Sequence, residues 1–205
     1  MRLGCLHTAA GNVAVLERAA GEHPGLALHH DVRPELLVAM IAASGLTPSI
    51  VHDVRRALER LASACDVVLL TCSSLGAVAD EMAKAAPKPI LRIDRALAAA
   101  AVADGGRVVV LCTAPTSVEP TGRLFRKAAS GTDARIDMRL LPDAWALYCA
   151  GDSAGYRRRV ADAVADALDD GAARVALAQV SMADAVAPSA RVLTSPSIGL
   201  AAAMA

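Results

Sequence analysis

Short apolar runs alternate along the chain with longer segments in which apolar residues recur at helical spacing. Runs such as Val67-Val68-Leu69-Leu70 and Val108-Val109-Val110-Leu111 are rich in β-branched residues and are bounded by polar turns, which is typical of buried strands. The pattern predicts eight strands, at 2–6, 26–29, 66–71, 89–94, 108–111, 135–140, 175–178 and 191–194. Helical patterns follow the strands, and this alternation predicts an α/β fold with parallel sheets and right-handed crossovers.

The second half of the chain repeats the plan of the first. Leu6-His7-Thr8-Ala9 corresponds to Leu111-Cys112-Thr113-Ala114 at an offset of 105 residues, and Val67-Val68-Leu69 corresponds to Val175-Ala176-Leu177 at an offset of 108. We therefore predict two similar Rossmann-like parallel-sheet halves, related by a pseudo-two-fold axis, with the site between them. The predicted halves are residues 1–95 with 197–205, and residues 96–196.

Composition excludes several classes of partner. Among the 205 residues, 21 Lys and Arg balance 21 Asp and Glu, so net charge offers no attraction to nucleic acid or to an anionic membrane. One Phe, one Trp and two Tyr provide no platform on which single-stranded bases could stack. The longest uniformly apolar run, 96–103, is far shorter than a membrane span, and the first residues lack a secretory-signal pattern. We expect neither a nucleic-acid nor a membrane partner.

The cysteines point to a reducing compartment. There are five of them, an odd number without a C-x-x-C pair, which favours free thiols in a cytoplasmic protein. Cys5, Cys65, Cys112 and Cys149 lie within predicted strands or helices or at their ends, where core packing or simple surface placement is the expected role.

Cys72 differs because it lies where a buried strand passes into a helix. It is followed by Ser73 and Ser74, and an Ala-rich helical pattern occupies 77–86. Ligands bind at the carboxyl ends of strands in open α/β sheets, where backbone N–H groups and the helix dipole favour an anion. The same position should lower the pKa of the Cys72 thiol. We predict that Cys72 is catalytic.

Taken together, the motifs resemble those of the aspartate/glutamate racemase superfamily, which includes hydantoin racemases, maleate isomerases and arylmalonate decarboxylases. The resemblance covers nearly the whole chain and rests on the segments 4–8, 66–76, 91–94, 113–121, 175–182 and 194–196. It implies cofactor-independent chemistry on a small carboxylate held between the two halves, with Cys72 as the first-half cysteine. It also implies a racemase or isomerase.

The second half departs from the pattern of that superfamily. Racemases of this type place one cysteine in each half, but none occurs from Gly171 to Met182, and Gln179 or Val180 takes the position. Gln179 and Ser181 could bind substrate, but neither is an effective acid–base at neutral pH. A decarboxylase or cis–trans isomerase that uses one cysteine is therefore the enzymatic alternative, and a non-catalytic carboxylate-binding protein is the alternative of another class.

The substrate carboxylate requires donors around Cys72, and hydroxyl-bearing turns provide them. Beyond Cys72, the residues predicted to bind substrate are Ser73, Ser74, Thr113, Thr116, Ser117, Gln179, Ser181, His7 and Thr8. His7 is about equally well explained as an ordinary hydrogen-bonded histidine.

No cofactor or metal is expected. The sequence lacks G-x-G-x-x-G and Walker patterns, and His29, His30 and His52 lack metal-ligand spacing to any cysteine or carboxylate. The Ala-rich, weakly charged helices would suit a homodimer or a higher homo-oligomer as well as they suit packing between helices.

Overall fold

The computed structural model describes all residues from Met1 to Ala205 and divides the chain into two compact units. Unit 1 comprises Met1–Ile93 and Pro196–Ala205, and unit 2 comprises Asp94–Ser195. None of the helices combines the length and the apolar character that crossing a membrane requires.

Unit 1 contains a four-stranded parallel sheet in the order β2-β1-β3-β4. Its elements are β1 Arg2–His7, α1 Gly11–Ala20, β2 Ala27–Val32, α2 Pro34–Ala42, α3 Pro48–Ala64, β3 Val67–Leu70, a 3₁₀ turn Ser73–Leu75, α4 Gly76–Met82 and β4 Ile90–Arg92.

Unit 2 repeats this order with β6-β5-β7-β8, again all parallel. Its elements are α5 Ile93–Val102, β5 Gly106–Cys112, a 3₁₀ turn Pro115–Ser117, α6 Val118–Ala129, β6 Ala134–Leu140, α7 Pro142–Cys149, α8 Ser153–Asp169, β7 Arg174–Leu177, a 3₁₀ segment Val180–Ala185 and β8 Val192–Thr194. The last helix, α9 Ser195–Met204, belongs almost wholly to unit 1.

Helix α3 illustrates how the sequence builds the core of unit 1. The Thr47 side chain accepts a hydrogen bond from the backbone N–H of Ile50, and Pro48 occupies the first turn, so the N-terminus is well capped. Five apolar residues at helical spacing are buried in the same cluster as strand residues of β1 and β3, namely Ile50, Val54, Ala57, Leu58 and Leu61. A corresponding cluster in unit 2 joins α8 to β5 and β7.

The strand order creates a topological switch point in each unit. From β1 the chain passes to β2 on one side, and it returns later to β3 on the other side. In unit 2, β5 has β6 and β7 as its two neighbours in the same way. Ligands of open α/β sheets bind outside the carboxyl ends of the strands at such a point. The predicted α/β fold with two similar parallel-sheet halves is confirmed; the pseudo-two-fold relation between the halves stays a prediction.

Two local predictions in unit 1 are wrong. The second strand was expected to end at His29, but β2 continues through His30 to Val32 because these residues pair with β1, with Cys5 opposite His30. Its residue type and its place before a helical pattern predict that Asn12 caps α1, but α1 begins at Gly11 and the side chain of Asn12 is buried, with Nδ2 3.5 Å from Thr71 Oγ1. In both cases a contact with a residue far away in the chain, in β1 or at Thr71, outweighs the structure that the local sequence predicts.

Gly106 provides a test of close packing at the start of β5. Its φ of +78° disfavours any side chain, and a Cβ there would lie 2.9 Å from the Cβ of Ala173. We expect Gly106→Ala to lower the free energy of unfolding by about 1–2 kcal/mol for the left-handed backbone, plus about 1–3 kcal/mol for overpacking. Gly131→Ala, with a φ of +83° and no atom within 4 Å, should show only the backbone cost. Equal losses for the two variants in urea unfolding would contradict the packing effect.

Candidate functional site

The turn after β3 carries the thiol that the sequence singled out. Cys72 is extended, with φ −107° and ψ 108°, and it immediately precedes the 3₁₀ turn Ser73–Leu75. Its carbonyl accepts a hydrogen bond from the N–H of Leu75 at 3.2 Å, and α4 continues the turn from Gly76. Cys72, Ser73 and Ser74 are all buried. The predicted strand–thiol–helix arrangement is therefore present, although a 3₁₀ turn separates the thiol from the α-helix.

The exit of β1 lies beside this turn. The parallel register pairs Leu6 with Leu70, and the N–H of Thr71 donates to the carbonyl of Leu6 at 3.0 Å, so Thr8 and Cys72 follow on neighbouring strand exits. A hydrogen bond of 2.8 Å joins His7 Nδ1 to Thr71 Oγ1. The structure thus brings together five of the predicted site residues at the switch point of unit 1, namely His7, Thr8, Cys72, Ser73 and Ser74.

A chain of hydrogen bonds extends from this point to the surface. His7 Nε2 lies 2.8 Å from His30 Nδ1, and His30 Nε2 lies 2.9 Å from Glu17 Oε1. Burial, with a smaller effect from His30, lowers the pKa of His7 to about 4, so its imidazole is neutral near pH 7. Both ring nitrogens of His7 therefore have partners inside unit 1. The sequence prediction missed His30 because it ended β2 at His29, and it missed Glu17 because Glu17, on α1, joins this chain only through its contact with His30.

Arg92 is a third residue that the sequence prediction left out of the site. It ends β4 and pairs in register with Leu70, two residues before Cys72. Its guanidinium is buried, lies 3.0 Å from Asp80 and packs against Gly76, where a Cβ would come within 2.3 Å of the guanidinium carbon. The absence of a side chain at Gly76 thus allows a buried cation to lie at the first turn of α4.

In unit 2 the turn after β5 is occupied by a glutamine side chain. Gln179 Oε1 accepts hydrogen bonds from the N–H of Thr113 at 2.5 Å, the hydroxyl of Thr113 at 2.9 Å and the N–H of Ala114 at 3.2 Å. Convergent N–H groups at the end of a strand form the kind of concavity that binds anions. Here the amide oxygen of Gln179 takes that position.

Ser181 and Ser117 also have partners within unit 2. Ser181 Oγ lies 2.9 Å from the hydroxyl of Tyr156, which in turn lies 3.4 Å from Thr113 Oγ1. Ser117 donates a hydrogen bond to the carbonyl of Ala114 at 2.7 Å. The structure therefore brings Thr113, Gln179 and Ser181 together with Tyr156, which the sequence prediction missed because it lies 25 residues before Ser181.

The remaining predicted residue of unit 2 is Thr116, which is half-buried in the 3₁₀ turn Pro115–Ser117.

The other cysteines are free thiols in different surroundings. Cys5, Cys65 and Cys112 are buried, whereas Cys149 is exposed. Burial raises the pKa of Cys5 to about 12 and that of Cys112 to about 11, so both thiols are protonated at neutral pH.

Comparison with known proteins identifies the same fold elsewhere. A family model described as Asp/Glu/Hydantoin racemase matches residues 12–205. The structure is similar to an aspartate racemase from Picrophilus torridus, with a TM-score of 0.71 and 13% identity over 95% of this chain and 89% of that chain. No curated protein matches the chain at a significant level.

Two further solved structures share this architecture. A glutamate racemase isoform from Bacillus anthracis gives a TM-score of 0.70 at 12% identity, covering 98% of this chain and 80% of that chain. An allantoin racemase from Klebsiella pneumoniae gives 0.68 at 15% identity, covering 100% of this chain and 86% of that chain.

The role of Gln179 can be tested by removing its acceptor. Gln179→Leu keeps a side chain of similar length but leaves two backbone N–H groups and one hydroxyl without this partner. We expect a loss of about 1–3 kcal/mol in the free energy of unfolding, measured by urea denaturation. Gln179→Glu retains an acceptor oxygen and should remain closer to the wild-type protein. Wild-type stability in Gln179→Leu would show that the three hydrogen bonds contribute little.

Proposed function

We propose that this chain, which belongs to the Asp/Glu/Hydantoin racemase family, is a cofactor-independent enzyme that acts on a small carboxylate through Cys72. The main supporting observation is the position of Cys72 at the carboxyl end of β3, on the switch point of unit 1. Among the five cysteines, it is the one that lies in a polar turn between a central strand and a helix.

The chemistry that we propose for Cys72 is proton transfer at the carbon next to a carboxylate. As a thiolate, Cys72 removes this proton and leaves an enediolate, and as a thiol it returns a proton to the same carbon. The additional negative charge on the carboxylate oxygens requires hydrogen-bond donors. Ser73 and Ser74 follow Cys72 directly in the 3₁₀ turn, and Thr8 lies on the exit of the neighbouring strand β1.

In this proposal the second half of the chain binds substrate but supplies no second thiol. Gln179 directly precedes the 3₁₀ segment after β7, as Cys72 directly precedes the 3₁₀ turn after β3, so between Gln179 and Val180 we assign Gln179 to the place of the second cysteine. Its amide cannot serve as the opposing acid–base at neutral pH. With one thiol, exchange of the substrate proton with solvent on one face is the minimum reaction that the enzyme should support. Thr113, Thr116, Ser117, Gln179 and Ser181 remain the proposed substrate contacts of this half.

A second candidate reaction is decarboxylation or cis–trans isomerisation with one cysteine. It is favoured by the absence of any cysteine from Gly171 to Met182. In decarboxylation Cys72 would protonate the enediolate that remains after CO₂ leaves. In isomerisation its sulfur would add to an activated double bond, allow rotation about the resulting single bond and then leave.

Proton exchange in D₂O distinguishes these reactions. The wild-type protein is incubated with amino acids, hydantoins, substituted malonates and maleate, and NMR follows deuterium incorporation, loss of CO₂ or formation of the trans isomer. We expect turnover with at least one class, and a decrease of about 10²–10⁴-fold in Cys72→Ala. The matched control is Cys149→Ala, which removes an exposed thiol far along the chain and should retain the wild-type rate.

Two outcomes would contradict the proposed function. Turnover that persists in Cys72→Ala would remove the central role of this thiol. Ligand-induced thermal stabilisation without turnover across the panel would favour the non-catalytic carboxylate-binding protein.

A further inference from the structure

A second cluster of chemically reactive side chains lies on one face of the unit 1 sheet. The ligand atoms of Cys5, His7 and His30 all lie within 4.8 Å of one another. Cys5 and His7 are fully buried, and the side chain of His30 is 14% exposed. The proposed catalytic role of Cys72 uses neither Cys5 nor His30.

Strand geometry explains why these three residues converge. Cys5 and His7 are two residues apart on β1, so their side chains point to the same face of the sheet. Cys5 pairs in register with His30 on β2, which directs the His30 side chain to that face as well. Because the ligands come from two strands, no spacing within the sequence reveals the cluster.

In each of the two imidazoles, the ring nitrogen that faces away from the cluster has a hydrogen-bond partner, as is usual for metal-ligating histidines. His30 Nε2 lies 2.9 Å from Glu17 Oε1, and His7 Nδ1 lies 2.8 Å from Thr71 Oγ1. Metal-ligating histidines nearly always use one ring nitrogen in this way, which orients the other nitrogen towards the ion. The remaining nitrogens, His7 Nε2 and His30 Nδ1, lie 2.8 Å apart.

The hydrogen-bond pattern around Thr71 also suits a ligating His7. Thr71 Oγ1 lies 3.1 Å from the carbonyl of Leu6, to which it can donate its single proton. If His7 carries its proton on Nδ1, that N–H donates to Thr71 and the hydroxyl remains available for Leu6. His7 Nε2 then carries a lone pair directed at His30 Nδ1, and an unprotonated nitrogen is the form that binds a metal.

We propose that Cys5, His7 and His30 form a binding site for a divalent zinc-like ion. One sulfur and two imidazole nitrogens are donors that zinc accepts, and three protein ligands leave a fourth tetrahedral position for water or a small ligand. On binding, the Cys5 thiol releases its proton to solvent as the metal–sulfur bond forms, and each imidazole supplies the lone pair of its ligating nitrogen. The two imidazoles keep one proton each.

Metal binding requires the two imidazoles to separate and the Cys5 sulfur to lie about 3.6 Å from each ligating nitrogen, within the 4.8 Å that bounds the three ligand atoms. Metal–nitrogen bonds of about 2.0–2.1 Å at a tetrahedral centre place the two nitrogens roughly 3.3 Å apart, so the rings must separate by about 0.5 Å. Thr71 directly precedes Cys72, so occupation of this site would also orient the strand exit that carries the proposed catalytic thiol. The metal site itself does not depend on the reaction at Cys72.

Cobalt provides the direct test because Co²⁺ replaces zinc and reports thiolate ligation by absorption. Purified full-length protein is stripped with a chelator and titrated with Co²⁺ alone. We expect one equivalent to bind, with a sulfur-to-cobalt charge-transfer band and the visible bands of a tetrahedral ion. Cys5→Ala should abolish the charge-transfer band. Glu17→Gln, which keeps all three ligands and changes only the partner of His30, should weaken binding by about 10–100-fold.

Matched variants separate this site from adventitious binding. Cys112→Ala removes an equally buried thiol in unit 2, which contains no histidine, and His29→Ala removes the exposed neighbour of His30. Both variants should bind Co²⁺ like the wild-type protein. His30→Ala, at the more accessible edge of the cluster, keeps the test valid if the buried variants fail to fold.

Three results would overturn the proposal. These are binding without the charge-transfer band, an unchanged band in Cys5→Ala or His30→Ala, and no binding of Co²⁺ or Zn²⁺ at micromolar concentration by the folded protein. Loss of turnover in Cys72→Ala with an intact cobalt spectrum would separate the two sites, so failure of the proposed function and failure of the metal site are distinguishable.

Discussion

The parallel pairing of β1 with β3 is the constraint on which the unit 1 site depends. The register of Leu6 with Leu70 brings two strand exits to the same level, and these exits carry His7, Thr8 and Cys72. A shift of this pairing by one residue would turn the side chains of β3 to the opposite faces of the sheet. The buried apolar residues of β3 therefore help to fix the position of the thiol.

The two units share one strand order but carry different side chains at the exits of their central strands. In unit 1 the switch point combines a thiol with the neutral imidazole of His7 and an ion pair between the buried Arg92 and Asp80. In unit 2 the equivalent exits of β5 and β7 are joined by the amide of Gln179 and by hydroxyl groups. Hydroxyls and amides bind and orient polar groups, whereas thiols and imidazoles also move protons or bind metals. The two units thus have the same fold, but the turns at their central strands carry different functional groups.

Buried polar groups explain why these turns should be rigid. Thr71, Thr113 and His7 are nearly inaccessible to solvent, and each has hydrogen-bond partners on a neighbouring element. A buried polar group that loses its partner costs about 1–3 kcal/mol, so each such network holds its strand exits in one arrangement. The same networks make His7 and Gln179 parts of the scaffold as well as candidates for function.

The sequence by itself determined the alternation of strands and helices, the repeated plan of two halves and the unusual position of Cys72. These features are local, because they follow from the periodicity of apolar residues and from turn residues at the ends of strands. Only the tertiary structure decided that β2 extends through His30, that Asn12 lies beside Thr71 and that Gln179 fills the turn after β5. Each of these contacts joins residues far apart in the chain, and parallel strands bring such residues together through crossovers whose register no local pattern specifies.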